Sequence, residues 1–208
     1  MIHVDLKSEP DIFDKLVRQP GRIFLSKVPN PTTKQWNNHS LWRLILKKLH
    51  DNYGGICAYS CHWIPYDTGA DSTEHFLPKS KYPNLAYEWS NYRLVCSTLN
   101  GRKSNFEDAL DPFNITDGDF IIDFPSLFIK PSKNLTSEYT QSVRNTIARL
   151  GLNDEDTCLK SRERYIKHYC LDMIDFRHLL SEAPFIAKEL QRQNLVESIK
   201  EIMDYSSL

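Results

Sequence analysis

Glu74, His75, Asn91 and Asn100 lie within 27 residues of one another, in the runs STEHFLPKSK (72–81), WSN (89–91) and CSTLNGRK (96–103). This stretch combines a carboxylate, an imidazole and two amides with Lys79, Lys81, Arg102 and Lys103. Those are the parts of a one-metal phosphodiesterase: a base to activate water, oxygen ligands for a hard cation, and positive charge to meet phosphate. An imidazole near its ordinary pKa can take a proton from water at neutral pH, which makes His75 the candidate general base. Successive side chains alternate along a strand, so Glu74 is expected to reach a metal while His75 reaches the water. Asn100 would add a side-chain carbonyl as second ligand. One carboxylate, one amide oxygen and several waters suit Mg²⁺, or Mn²⁺ in its place. Lys79, Lys81, Arg102 and Lys103 are candidate phosphate contacts, which position a nucleic acid without reading its sequence.

The elements needed to hold these groups can be read nearby. Strands are expected at 72–76 and 92–97, joined by a proline-containing loop. Thr98 is expected to cap a helix running to about Asp108. This would set Asn100 in a first turn, at the positive end of the helix dipole. Before them, Leu41, Trp42, Ile45 and Leu49 have helical spacing over 38–53, and Gly54-Gly55 stops it. Arg43, Lys47 and Lys48 fall on the other face of that helix, as nucleic-acid contacts or, in the simpler reading, a solvated surface. The first 35 residues hold Pro10, Pro20, Pro29 and Pro31, which predicts a short helix at 11–18 and then an extended segment. Farther on, 119–130 reads as a hairpin turning at Pro125-Ser126. Three helices follow: 137–150 closed by Gly151, a second capped by Asn153 and reaching Ile174, and a third from Pro184 through Ile202.

Glu74-His75 with Pro78 and Ser80, then Asn91, then Asn100 with Lys103, resembles the HNH endonucleases. The phrases EHFLPKSKYP, YEWSNYRLVC and LDPF are similar to PtuB-like nuclease subunits of Septu anti-phage systems. The resemblance implies a ββα-metal unit, cleavage leaving 5′-phosphate and 3′-hydroxyl ends, and a role for Asn91 in fixing the loop and orienting the base. It also implies DNA as substrate, with RNA possible, and an ABC- or SMC-like ATPase as partner. Many such proteins bind structural zinc through two Cys-x-x-Cys pairs. Here Ser60 and Leu99 stand where the second member of each pair would be. Cys57, Cys61 and Cys96 remain, with His62 beside Cys61, and the pattern argues against zinc. Packed thiols are the alternative.

Composition fits this picture. Of the 208 residues, 40% are hydrophobic and 25% charged, as in a globular protein. Residues 1–103 carry 14 Lys and Arg against 9 Asp and Glu, whereas 104–208 carry 12 against 18. The half containing the motif is therefore the basic one. No apolar run reaches membrane-spanning length, the start has no signal-peptide pattern, and five cysteines without framework spacing point to a reducing cytoplasm. The remaining six histidines are read as structural or exposed. The expectation is a mostly helical α+β protein. It has an N-terminal segment and helix (1–54), an HNH-like core (55–112), and a hairpin with C-terminal helices (113–208) packed on that core as one domain. Two competing readings stay open: a non-catalytic HNH scaffold for nucleic-acid binding or assembly, and a nuclease directed at tRNA.

Overall fold

The computed structural model describes residues 1–203 and 205. The chain is a mostly helical α+β protein, 48% helix and 10% strand, and its strands form two small antiparallel hairpins. It divides into two compact units. The first comprises Asp5–Cys57 and Ile64–Glu107, the second Met1–Val4, Ala58–Trp63 and Asp108–Leu208.

In the first unit, β1 (Asp71–His75) pairs with β2 (Tyr92–Cys96), and a helix (Ser97–Lys103) follows β2 without a break. The register sets Glu74 opposite Arg93 and His75 opposite Tyr92. Both strands lie within one residue of their expected bounds; Tyr92, Leu94 and Val95 favour β2, and β1 is held by its pairing with it. The helix differs from expectation at each end. Cys96, not Thr98, occupies its N-cap, and no side chain caps it. It stops at Lys103 rather than Asp108, because Ser104 takes a left-handed conformation (φ 48°) that a helix cannot propagate.

Three helices precede this unit of strands and helix. α1 (Gln19–Lys27) replaces the extended segment expected after residue 18. A π-type turn over Asp14–Arg18 leads into it, with Gln19 N–H bonded to Asp14 O. That wider turn lets Pro20 stand near the start of α1, where its missing N–H breaks nothing. Gly21 is required at its position: a Cβ there would fall 2.2 Å from Tyr87 Cγ. The expected helix over 38–53 is in fact several pieces. α2 (Thr33–Asn38) begins at a capping box in which Thr32 and Gln35 satisfy each other. A 3₁₀ segment at Leu41–Ile45 then leads into α3 (Leu46–Asn52). Gly54 and Gly55 end α3 at positive φ, as their types predict. Ile45, Leu49, Tyr87, Tyr92 and Leu94 are fully or almost fully buried in this unit.

The helix after β2 is α4 (Ser97–Lys103). In the second unit, β3 (Phe120–Asp123) and β4 (Phe128–Pro131) form the expected hairpin. α5 (Ser137–Leu150) is capped by Thr136 and closed by Gly151 at φ 59°. The next helix does not start from Asn153. Asp154 is the N-cap, and Asn153 instead brackets Ile129, accepting from its N–H (2.7 Å) and donating to its carbonyl (2.9 Å). α6 (Lys160–Cys170) ends before Ile174, and a separate α7 (Phe176–Glu182) starts from an Asp175 cap. The last expected helix is divided into α8 (Pro184–Arg192) and α9 (Ile199–Met203), with Asn194 at φ 56° between them. No helix among the described residues is long and apolar enough to cross a membrane.

Candidate active site

The end of β1, the loop after it and the face of α4 enclose a polar cavity of about 210 Å³ in the first unit. Glu74, His75, Lys79 and Asn100 line it, together with Trp42, Arg43 and Asn105.

His75 is held on three sides. Its Nε2 lies 3.0 Å from the carbonyl oxygen of Ala86, and its ring meets Trp42 (4.7 Å) and Tyr92 (5.2 Å) edge to face. A carbonyl can only accept, so Nε2 carries the proton and donates it. Burial lowers the His75 pKa to about 3, and the charges of Lys79 and Lys103 act in the same direction against the Ala86 bond. The ring is therefore neutral at pH 7, with its lone pair on Nδ1. Neutrality is what a general base requires, but the pKa lies well below the ordinary value expected from the sequence, which makes this imidazole a weaker base.

Asn91 clamps the loop that presents Ala86. Its Oδ1 accepts from Leu77 N–H (2.8 Å), and its Nδ2 donates to the carbonyls of Leu77 (3.0 Å) and Leu85 (3.2 Å). Its own carbonyl accepts from Phe76 N–H. Both ends of the loop are thereby tied to the start of β2, and Tyr92 Oη donates to the same Ala86 carbonyl at 2.8 Å.

Glu74 is buried at 2% side-chain exposure, with Oε1 2.6 Å from Lys103 Nζ. Lys103 was expected at a phosphate. It is instead wholly buried, and its ammonium also donates to the carbonyls of Phe76 (2.6 Å) and His75 (3.4 Å). A cation with its donors used inside the protein is not placed to meet a substrate. Asn100 is half-buried in α4, and its Nδ2 donates to Ser72 Oγ (3.0 Å). Ser72 in turn donates to Val95 O (2.7 Å), which fixes the direction of both bonds and leaves Asn100 Oδ1 as an acceptor. Glu74 and Asn100 thus offer one carboxylate and one amide oxygen on the same cavity. This donor set suits Mg²⁺ or Mn²⁺, which take few protein ligands and keep their waters.

The other basic candidates separate. Lys79 lines the cavity with its ammonium 5.2 Å from the Trp42 ring, and burial lowers its pKa against the pull of Glu74. Lys81 is exposed and paired with Glu107 at 2.5 Å, outside the cavity lining. Arg102 is half-buried and does not line the cavity either. Trp42 carries no functional signal in the sequence, because its helical spacing is that of a packing residue, whereas Arg43, read there as a solvated residue or a nucleic-acid contact, lines the cavity.

Cys57 and Cys96 belong to the first unit, with Cys96 N–H donating to Cys57 Sγ at 3.4 Å, whereas Cys61 belongs to the second. Among the described residues, no three His, Cys, Asp or Glu side chains gather closely enough to hold a metal ion. The pair made by Glu74 and Asn100 depends on an amide and lies outside that test.

No protein-family model matches the chain. A curated relative does: the Septu protein PtuB of Bacillus thuringiensis, 26% identical over 170 residues, or 78% of this chain. The chain spans 58% of the length of that relative. The chain is a distant, PtuB-like relative of a Septu protein.

Proposed function

We propose that this chain is a metal-dependent endonuclease subunit of a Septu-type anti-phage assembly. One observation carries the reading: a neutral, buried His75 with its lone pair on Nδ1 lines the same small polar cavity as Glu74 and Asn100. The likeness to PtuB supports the defence setting, and the HNH-like order of these residues supports the chemistry.

In this reading His75 Nδ1 takes a proton from a water in the cavity. The water oxygen forms a bond to phosphorus, and the bond from phosphorus to the 3′ oxygen breaks. The 3′ oxygen leaves as a hydroxyl after taking a proton from solvent, and the phosphate stays on the 5′ side. The Ala86 carbonyl keeps the ring in the required tautomer, and Asn91 keeps Ala86 in place. Arg43 and Lys79 meet the phosphate backbone. Glu74 and Asn100 would hold Mg²⁺ or Mn²⁺, which when bound supplies positive charge for the phosphate and the departing oxygen. An ABC- or SMC-like ATPase encoded with the chain would be the partner that restrains or releases it.

A second reading, a scaffold that binds nucleic acid or assembles without cutting, is favoured by one observation: a buried ammonium already sits on Glu74. Incubating the chain with plasmid DNA and with total tRNA, with and without Mg²⁺ or Mn²⁺, separates them. The nuclease reading expects metal-dependent cutting that leaves 5′-phosphate ends, and the polymer cut identifies the substrate. Binding of either polymer with no cutting, alone or with the co-expressed ATPase, would favour the scaffold.

A further inference from the structure

Lys103 has three donors and three oxygens around it: Glu74 Oε1 (2.6 Å), Phe76 O (2.6 Å) and His75 O (3.4 Å). The Phe76 ring lies 5.3 Å from the same ammonium. This side chain has no exposed surface, and its ammonium donates to the two carbonyls and forms an ion pair with Glu74 at the end of β1. It rises from the last turn of α4, three residues after Asn100, so the two lie on one face of the helix. One helix face thus carries both the cation paired with Glu74 and an amide that lines the same cavity as Glu74.

We propose that Lys103 is a resident cation at Glu74, which neutralises the buried carboxylate in the absence of a divalent ion and sets the affinity for that ion low. This rests on reading Glu74 as a metal ligand. Two consequences follow from charge alone. A buried carboxylate with its own ammonium does not need metal to be tolerated in the folded chain. A divalent ion arriving at Glu74 and Asn100 meets a positive charge a few ångströms away, with Lys79 and Arg43 adding to the field from the cavity wall. Lys103 touches neither substrate nor reacting atoms; it is a positioning residue that acts through Glu74.

The experiment measures Mn²⁺ binding by electron paramagnetic resonance, which needs no turnover, on wild type, Lys103→Gln, Lys103→Met and the double variant Glu74→Gln/Lys103→Gln. Each protein is also melted with and without Mn²⁺, so that a variant unstable without metal still reports. The single variants are expected to bind Mn²⁺ about tenfold more tightly than wild type or better, given the charge removed. Mn²⁺ is expected to raise their melting temperatures while leaving wild type unmoved at the same concentration. The double variant should lose the gain. Single variants that bind no more tightly and melt no higher with Mn²⁺ would overturn the proposal, as would a gain that survives Glu74→Gln. A chain that shows the binding pattern but cuts nothing keeps this inference and removes the nuclease. A chain that cuts, with wild type and Lys103→Gln sharing one metal dependence, does the reverse.

Discussion

His75 donates from Nε2 to the carbonyl oxygen of Ala86 at 3.0 Å, eleven residues along the chain, and this bond leaves the lone pair of the neutral ring on Nδ1. Ala86 stands next to Leu85, which Asn91 holds at 3.2 Å, so the base is aimed by a loop and the loop by an amide. Removing Asn91 should therefore damage catalysis without touching the reacting atoms. Asn91→Ala is expected to lower turnover about a hundredfold, the scale of an ångström of misplacement. It should also lower the melting temperature, because Leu77 N–H loses its acceptor. Asn91→Asp keeps that acceptor but sets a second oxygen against the carbonyls of Leu77 and Leu85, so it should rescue neither. Turnover and melting measured on the two variants check this.

Glu74 and Lys103 should behave as a unit in stability. Glu74→Gln leaves a wholly buried ammonium without its carboxylate, a change that costs about 3–5 kcal/mol in comparable sites. Glu74→Gln/Lys103→Met removes both charges and should recover most of that loss. Urea unfolding of the two single variants and the double reads the coupling directly.

Phosphate contacts and buried cations differ in their response to salt. Lys79→Ala and Arg43→Ala should each weaken nucleic-acid binding across all sequences and reduce the salt slope by about one. Lys103→Met should leave the slope unchanged, because its charge never faces the polymer. Fluorescence anisotropy at several salt concentrations distinguishes them.

His62 gives a pH prediction away from the cavity. Burial holds its pKa down to about 3, with the Arg162 charge adding to the effect, and its Nδ1 lies 2.9 Å from Ser161 Oγ. As pH falls through about 6.5 the unfolded chain takes up a proton that the folded chain refuses until about 3. The stability from this group is thus complete above 6.5 and is lost progressively between 6.5 and 3. His62→Gln should flatten the fall in melting temperature across that window, and His75 should keep part of it, because it is depressed in the same way.

Much of the candidate site could be read in the sequence, for identifiable reasons. The β1–β2 pair and the presence of a helix after it follow from local pattern, and Glu74, His75 and Asn100 do line one cavity. Lys103 could not be placed: a lysine in the last turn of a helix ordinarily points to water, and only the three acceptors at the end of β1 draw it in. Trp42 was hidden for a different reason: its place in an apolar pattern reads as packing, and it stands in a 3₁₀ segment rather than the expected α-helix. Asn153 misled in the same manner. Its type suits a helix cap, but β4 offers it an N–H and a carbonyl at once.

The most direct test is a time course of plasmid and tRNA cleavage in saturating Mn²⁺, alone and with the co-expressed ATPase, for wild type beside His75→Ala with matched circular dichroism. Wild type should cut under at least one of these conditions, and the variant should not. Cleavage by His75→Ala at the wild-type rate, or none by wild type under any of these conditions, would contradict the nuclease reading.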